Sequence, residues 1–273
     1  MTSNRVYMAA RNHPDYLLSL KQCNQKIACL TAYDASFACW LAQEGVDAIL
    51  VGDSLGMVVQ GHESTLPVTV DDMVYHAAAV ARGAPDLLRI VDLPYRSYQT
   101  PEQALDNARI LMQAGRAHMV KLEGGERVLP MVEALRAADI PVCGHLGLLP
   151  QSVKELGGYR VQGRDPQAAR QIEADAQALQ AAGVAAIVLE CIPAVLAARI
   201  TAALEIPTIG IGAGADCDGQ VLVLYDMLGI TAGRRPSFSE DFLRDAPDVA
   251  SAIRRYVQAV RQGRFPTQAH SFS

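Results

Sequence analysis

The chain has 273 residues, 50% of them hydrophobic, and a formal net charge of -5. This length is enough for one large core, and barrels that alternate strands with helices commonly reach it as a single domain. The mild acidity and the lack of a basic run argue against a nucleic-acid partner. The first residues lack the apolar stretch of a secretory signal. The apolar region 181–214 is interrupted by charges and prolines, which argues against a membrane span.

The cysteine content indicates a reducing compartment. There are six cysteines, none in a C-x-x-C pair, and three of them lie inside apolar runs. We expect reduced, mostly buried thiols in a cytoplasmic protein. The spacing that zinc ligands need is missing, so we expect no zinc site.

Eight apolar runs of strand length follow one another along the chain. Their positions are 27–34, 48–54, 87–94, 118–124, 140–147, 185–192, 206–214 and 219–230. Most are nearly continuous in Val, Ile and Leu, as is typical of strands buried on both faces. Helical patterns separate them, with Thr69, Thr100 and Asp165 as predicted N-caps and glycines at their ends. The repeat predicts an α/β protein with the (β/α)8 TIM barrel fold.

We expect residues 1–273 to form this one barrel domain with helices at both ends. A helix at about 14–24 is expected to cap the bottom of the barrel. The tail at about 238–263 is expected to form one or two helices. Two connections, 55–68 and 148–164, are too long for plain turns. Long loops that follow barrel strands lie on the catalytic face and often cover the site.

Four carboxylates end predicted strands, namely Asp53, Asp92, Glu123 and Glu190. An isolated Asp after a strand is more often a turn or cap residue. In a barrel, however, these strand ends meet on one face, and several acids there need a balancing charge. A hard divalent cation held by three of them, with the fourth free as a base, meets that need. Oxygen-only ligands favour Mg²⁺, or Mn²⁺ in substitution.

Three further features accompany these acids. Lys121 points to the same side of its strand as Glu123; it can neutralise the acids, bind an anionic substrate or form a Schiff base, and the acid cluster favours binding. His145 is either a buried side chain whose hydrogen bonds are made within the protein, or a residue that binds the substrate. Glu190 is either a structural acid or, in its apolar setting, suited to proton transfer. The glycine-rich run 210–214 is a weak indication of a phosphate site.

Several long motifs resemble the ketopantoate hydroxymethyltransferase family, in order over residues 21–236. They are TAYDASFA (31–38), VGDSLGMVVQGHESTLPVTVDDM (51–73), VDLPYRSY (91–98), VKLEGG (120–125), GHLGLLPQSV (144–153), GGYRVQG (157–163), IVLECIP (187–193), IGIGAG (209–214) and VLVLYDMLG (221–229). The resemblance implies hydroxymethyl transfer from 5,10-methylenetetrahydrofolate to 3-methyl-2-oxobutanoate. The reaction passes through an enolate stabilised by magnesium and gives ketopantoate for pantothenate and coenzyme A synthesis.

The resemblance also implies roles for particular residues. The metal ligands are Asp53, Asp92 and Glu123, for one Mg²⁺ per subunit, and the catalytic base is Glu190. The residues that bind the keto acid are Asp53, Ser54, Asp92, Lys121 and His145. A homo-oligomer, a decamer in the family, is implied as well.

Two other functions remain open. One is a magnesium-dependent carbon–carbon lyase or mutase of the phosphoenolpyruvate mutase and isocitrate lyase type, which also places acids around Mg²⁺ at strand ends. A requirement for tetrahydrofolate distinguishes the two enzymes. The other is a barrel that binds a keto acid without turnover, which would show binding but no proton exchange.

Overall fold

Eight parallel strands pair in chain order and close into a barrel where the last strand pairs with the first. This computed structural model describes residues 8–153 and 157–273. Residues 1–7 of the predicted domain and 154–156 of the second long connection lie outside the described part. The strands are β1 (Ile27–Thr31), β2 (Ala48–Val51), β3 (Leu88–Asp92), β4 (Met119–Glu123), β5 (Val142–Gly147), β6 (Ala186–Glu190), β7 (Thr208–Ile211) and β8 (Gly219–Leu222).

Each predicted apolar run contains one of these strands, so the (β/α)8 prediction is confirmed. The observed strands are shorter than the runs, because the last residues of several runs leave the ladder to form the mouth of the barrel. Nearly every strand residue is buried, since the inner face packs on itself and the outer face is covered by helices.

Helices surround the barrel. They are α1 (Asp15–Gln22), α2 (Ala35–Gln43), α3 (Leu55–Val58), α4 (Val70–Gly83), α5 (Pro101–Gln113), α6 (Leu129–Ala137), α7 (Pro166–Ala181), α8 (Ala194–Ala203), α9 (Leu224–Met227) and α10 (Val249–Arg261). The predicted caps are present: the side chains of Thr69, Thr100 and Asp165 accept hydrogen bonds from main-chain N–H groups in the first turns of α4, α5 and α7. These caps satisfy donors that have no partner within the helix.

Helix α1 lies at the amino-terminal ends of the strands. Lys21 Nζ contacts Asp218 Oδ2, just before β8, at 2.9 Å and the carbonyl oxygens of Leu204 and Ile206, before β7, at 2.9 Å each. Tyr16 donates to Asp47 Oδ1, which precedes β2, at 3.1 Å. One buried face of α1 therefore covers the side of the barrel opposite the strand ends that carry the acids.

Within the tail at 238–263, which was expected to form one or two helices, Val249–Arg261 is a single helix. Pro247 precedes the N-cap Asp248 and cannot supply the main-chain donor that an earlier helix would need. Upstream, Asp241 Oδ1 accepts hydrogen bonds from the main-chain N–H groups of Leu243 and Arg244, which makes a turn. Phe242 is only 5% exposed and packs in the core.

Candidate active site

A cavity of about 690 Å³ opens at the carboxyl ends of the strands. Every residue that the sequence analysis assigned to the site lies on its wall. These residues are Asp53, Ser54, Asp92, Lys121, Glu123, His145 and Glu190. They come from β2 to β6 and the turns that follow, so the barrel brings together side chains that are far apart in sequence.

Three of the carboxylates are deeply buried: Asp53, Asp92 and Glu123 are 3%, 3% and 6% exposed. The main-chain N–H of Asp53 donates to Asp92 Oδ2 at 3.1 Å. Burial, and then the charges of Asp92 and Glu123, raise the pKa of Asp53 well above its ordinary value. Burial also raises the pKa of Asp92, although Lys121 acts against this. Burial is therefore the main factor that opposes ionisation of both carboxylates.

Lys121 supplies a positive charge beside these acids. Its Nζ lies 3.0 Å from Asp92 Oδ1, and the side chain is 4% exposed. Burial alone would lower its pKa, but Asp92, Glu123 and Asp53 outweigh this effect and raise the pKa above its ordinary value. Because the amine stays protonated at neutral pH, it has no free lone pair, which argues against a Schiff-base role. A protonated amine suits both charge balance and anion binding.

His145 connects the buried acids to Glu190. Its Nε2 lies 3.2 Å from Glu190 Oε2, and its Nδ1 lies 3.5 Å from Glu123 Oε1 and 3.2 Å from Lys121 Nζ. Burial and Lys121 lower the pKa of His145, but the two carboxylates overcome them and raise it to about 9. Glu190 has a side chain that is 14% exposed, the most accessible carboxylate of the four.

Gln151 is a buried residue of this site that sequence reasoning missed. Its Nε2 donates to Asp53 Oδ2 at 2.8 Å and to the carbonyl oxygen of Leu93 at 3.0 Å. Its main-chain N–H donates to Glu123 Oε2 at 3.1 Å. Tyr98 donates to Gln151 Oε1 at 2.6 Å, which fixes the orientation of the amide. One residue of the connection after β5 thus holds one oxygen of two different acids.

The remaining predicted features lie at the mouth. Ser54 Oγ lies 2.9 Å from the hydroxyl of Tyr33, which the sequence analysis also missed. The glycine-rich run 210–214 packs against aromatic rings: a Cβ added to Gly212 would lie 3.1 Å from both Phe238 and Phe272. Gly212 therefore makes room for these rings, which does not support the phosphate site that the run weakly indicated.

The donor set of the three buried acids fits a hard divalent cation. All the donors are carboxylate oxygens, the ligands that Mg²⁺ prefers. No group of three or more His, Cys, Asp or Glu side chains in residues 8–153 and 157–273 stands in a ready-made metal-holding arrangement. Hydrogen-bond and ion-pair donors occupy oxygens of all three acids. Both oxygens of Asp92 are contacted, Oδ1 by Lys121 and Oδ2 by the N–H of Asp53.

The fold and the cavity together define an enzyme of the (β/α)8 barrel class, with buried acids, a lysine and a histidine at its carboxyl face. The family model described as ketopantoate hydroxymethyltransferase matches residues 11–268, and the chain belongs to that family. It is therefore a transferase. Within the described residues, no helix is long and apolar enough to cross a membrane, and all six cysteines are free.

Two curated relatives cover nearly the whole chain. The 3-methyl-2-oxobutanoate hydroxymethyltransferase of Sodalis glossinidius (strain morsitans) is 56% identical over 257 residues, which are 94% of this chain and 98% of that one. The enzyme of the same name from Escherichia coli O139:H28 (strain E24377A / ETEC) is 54% identical over 262 residues, 95% of this chain and 99% of that one.

Solved structures with the same fold are more distant. A 2,3-dimethylmalate lyase of the PEP mutase/isocitrate lyase superfamily has a TM-score of 0.56 at 16% identity, over 82% of each chain. A phosphonopyruvate hydrolase solved with oxalate and Mg²⁺ has a TM-score of 0.60 at 13% identity, over 79% of this chain and 81% of that one. Such identities show a shared fold alone. The predicted lyase or mutase alternative rests on that fold, whereas family membership favours the transferase.

Proposed function

We propose that the chain transfers a hydroxymethyl unit from 5,10-methylenetetrahydrofolate to 3-methyl-2-oxobutanoate. The products are ketopantoate and tetrahydrofolate, and one water molecule is consumed. Family membership supports the choice of substrates. The observation that carries the chemistry is that all seven predicted site residues line one cavity.

The buried acids are suited to hold one Mg²⁺ per subunit, with Asp53, Asp92 and Glu123 as its ligands. When bound, the cation would supply a Lewis acid that polarises the keto group and makes the hydrogen at C3 more acidic. The support for this assignment is that three carboxylates are buried together and that burial, as the main cause, raises the pKa of both Asp53 and Asp92. A bound cation would lower the cost of keeping these carboxylates ionised.

The keto acid is expected to place its carboxylate against Lys121 and Ser54. The ammonium group of Lys121 stays protonated among the acids, so it can bind an anion. The hydroxyl of Ser54 is held by Tyr33 at 2.9 Å and can donate to the same carboxylate. These two contacts would orient the substrate so that C3 faces the opposite wall of the cavity.

Glu190 is the proposed base that removes the C3 proton. It ends β6, lines the cavity, and lies 3.2 Å from His145 Nε2, within ion-pair distance. The imidazole lies between Glu123 and Lys121, and a protonated ring would attract the carboxylate of Glu190. The resulting carbanion forms the new carbon–carbon bond to the one-carbon unit of the folate. Water breaks both carbon–nitrogen bonds of that unit: its oxygen becomes the new hydroxyl, its two hydrogens go to the nitrogens of tetrahydrofolate, and the proton removed from C3 returns to the hydroxyl oxygen.

The place in pantothenate and coenzyme A synthesis, the cytoplasmic location and the homo-oligomer stay predictions. The exposed aromatic side chains of Trp40 and Tyr75, 42% and 71% exposed, lie on α2 and α4, which pack against each other. Such surfaces are compatible with subunit contacts. The mass in solution, measured by light scattering and compared with the 29.3 kDa of one chain, tests the oligomer.

A turnover assay with purified protein tests the proposed function. Ketopantoate should form only when the keto acid, 5,10-methylenetetrahydrofolate and Mg²⁺ are all present, and EDTA should stop its formation. Cleavage of ketopantoate or of a related hydroxy acid without any folate would instead identify a lyase. Binding of the keto acid with no product under any condition would identify the non-catalytic alternative.

A further inference from the structure

The main chain takes a strained path directly after Glu190. Cys191, the next residue, has a φ of 46°, in the left-handed region that residues other than glycine rarely adopt. Such a conformation persists only where surrounding contacts hold it. Here the N–H of Cys191 donates to the carbonyl oxygen of Ile211, and its carbonyl oxygen accepts from the N–H of Gln162, at 2.9 Å each. The turn that follows Glu190 is therefore held by segments distant in sequence.

Helix α8 begins just beyond this turn and is capped from outside. Its N-cap, Pro193, has no side-chain acceptor for the first N–H groups of the helix, which have no partner within it. Instead, the N–H of Ala194 donates to the carbonyl oxygen of Phe272 at 2.9 Å. Pro193 and Phe272 also pair as an isolated parallel β-bridge. A residue far along the chain thus supplies the cap that the local sequence lacks.

The carbonyl group of Phe272 is held on both sides. On one side, the ring of Phe272 packs edge to face on Phe238, with ring centroids 6.4 Å apart. On the other side, Arg164 Nε donates to the main-chain oxygen of Ser273 at 3.2 Å. The ring is the part of this arrangement that a substitution can remove without changing the main chain.

The glycine-rich run 210–214 makes room for both partners of the cap. Gly212 and Gly214 have φ values of 63° and 83°, which favour glycine. A Cβ added to Gly212 would lie 3.1 Å from the ring of Phe272, and one added to Gly214 would lie 2.6 Å from the Cβ of Ala194. The run therefore lets the acceptor residue and the donor residue approach the end of β7 together. No step of the proposed reaction uses this motif.

We propose that Phe272 is a positioning residue for Glu190. Its carbonyl oxygen caps helix α8, its ring keeps that oxygen in place, and the capped helix holds the turn 191–193 so that the carboxylate of Glu190 faces the keto acid. This inference rests on the proposed function, under which Glu190 removes the C3 proton. The ring of Phe272 lines the cavity, but its effect on Glu190 passes through the turn.

Amide hydrogen exchange tests the cap independently of activity. Phe272→Ala removes the ring that holds the carbonyl, so the N–H of Ala194 should exchange about fivefold faster or more, as expected when a helix loses an N-terminal cap. Mass spectrometry with electron-transfer fragmentation resolves this amide. Phe272→Tyr keeps the ring and should keep the protection. Phe37→Ala is the matched control, because Phe37 packs on Trp40 and Tyr225 and lies on α2, which follows β1, whereas α8 follows β6.

The kinetics of C3 deuterium exchange, which needs no folate, test the positioning role. A slightly displaced base is much less effective, so Phe272→Ala should lower kcat by about tenfold or more. The KM for the keto acid should stay unaltered, because its proposed contacts Ser54 and Lys121 come from the ends of β2 and β4. Each rate is divided by the folded fraction, which the strand amides of the same samples report. Phe272→Tyr should restore kcat.

Unchanged exchange of the Ala194 N–H in Phe272→Ala would overturn the inference. So would faster amide exchange with the wild-type kcat, because the cap would then not position the base. A higher KM with an unaltered kcat would show that Phe272 contacts the keto acid instead, and would overturn it as well. Absence of C3 exchange in the wild-type protein would contradict the proposed function and this inference with it, whatever the amides show.

Discussion

Glu190 is the residue on which the proposed proton transfer depends. Glu190→Gln keeps the shape of the side chain but removes the base, so C3 exchange should fall by about 10²–10⁴-fold while keto-acid binding is retained. Proton NMR of the keto acid in D₂O measures the exchange, and calorimetry measures the binding. Glu205→Gln, at an exposed position, is the control. Exchange at the wild-type rate in Glu190→Gln would mean that another group is the base.

Gln151 is expected to position the metal ligands, because it holds one oxygen each of Asp53 and Glu123. Gln151→Met removes the side-chain amide, and loss of such a supporting contact typically weakens metal binding by about 10–100-fold. Electron paramagnetic resonance of free Mn²⁺ gives the affinity directly. Gln162→Met is the matched control, since Gln162 lies on the same connection and, among residues 8–153 and 157–273, its side chain bonds only the carbonyl oxygen of Arg160. Equal Mn²⁺ affinity in both variants would contradict this role.

The predicted and the missed residues of the site differ in where they lie. Asp92, Glu123 and Glu190 end strands, so the barrel fold alone places them on one face. Gln151 lies on a connection whose path depends on packing between distant segments. The sequence marked the connection 148–164 as long, but nothing in its pattern indicated that Gln151 folds back between two acids.

Helix α4 begins with a capping box. The side chain of Thr69 accepts from the N–H of Asp72 at 3.2 Å, and Asp72 Oδ2 accepts from the N–H of Thr69 at 2.9 Å. Thr69→Ala should lower the free energy of unfolding by about 1 kcal/mol, measured by urea denaturation. Thr69→Ser keeps the acceptor and should restore most of the loss. An unchanged free energy of unfolding in Thr69→Ala would mean that the cap contributes nothing to stability.

Elements with strong local signals could be predicted, and those fixed by tertiary contacts could not. The N-caps Thr100 and Asp165 stand beside a proline that starts each helix, so α5 and α7 begin where expected. The segment before α10 has helix-forming residues, yet Phe242 turns into the core and packs edge to face on Tyr256, with ring centroids 5.5 Å apart. Periodicity does not reveal that long-range contact, so the sequence left open whether the tail forms one helix or two.

In the whole molecule, one side chain of the last helix contacts both strands at which the barrel closes. The hydroxyl of Tyr256 in α10 is fully buried and lies 2.8 Å from the carbonyl oxygen of Cys29 in β1 and 3.0 Å from that of Gln220 in β8. It therefore bridges the first and last strands. Burial raises the pKa of Tyr256 well above its ordinary value, so the hydroxyl keeps the proton that it donates.

Tyr256→Phe should lower the free energy of unfolding by about 1–3 kcal/mol, because it leaves buried acceptors without a donor. Urea denaturation measures the change, and a single transition is expected, since the barrel is one cooperative unit. Tyr75→Phe is the control, because the side chain of Tyr75 is 71% exposed. Equal stability of both variants would show that the bridge does not contribute to closing the barrel.

The central claim is that the acids at the barrel mouth activate C3 of a keto acid with the help of a divalent cation. Proton NMR of 3-methyl-2-oxobutanoate in D₂O with the purified protein tests it most directly. We predict that the C3 proton signal disappears when Mg²⁺ is present and persists in EDTA, and that 5,10-methylenetetrahydrofolate then converts the keto acid to ketopantoate. No loss of that signal under any condition, folate included, would contradict the account.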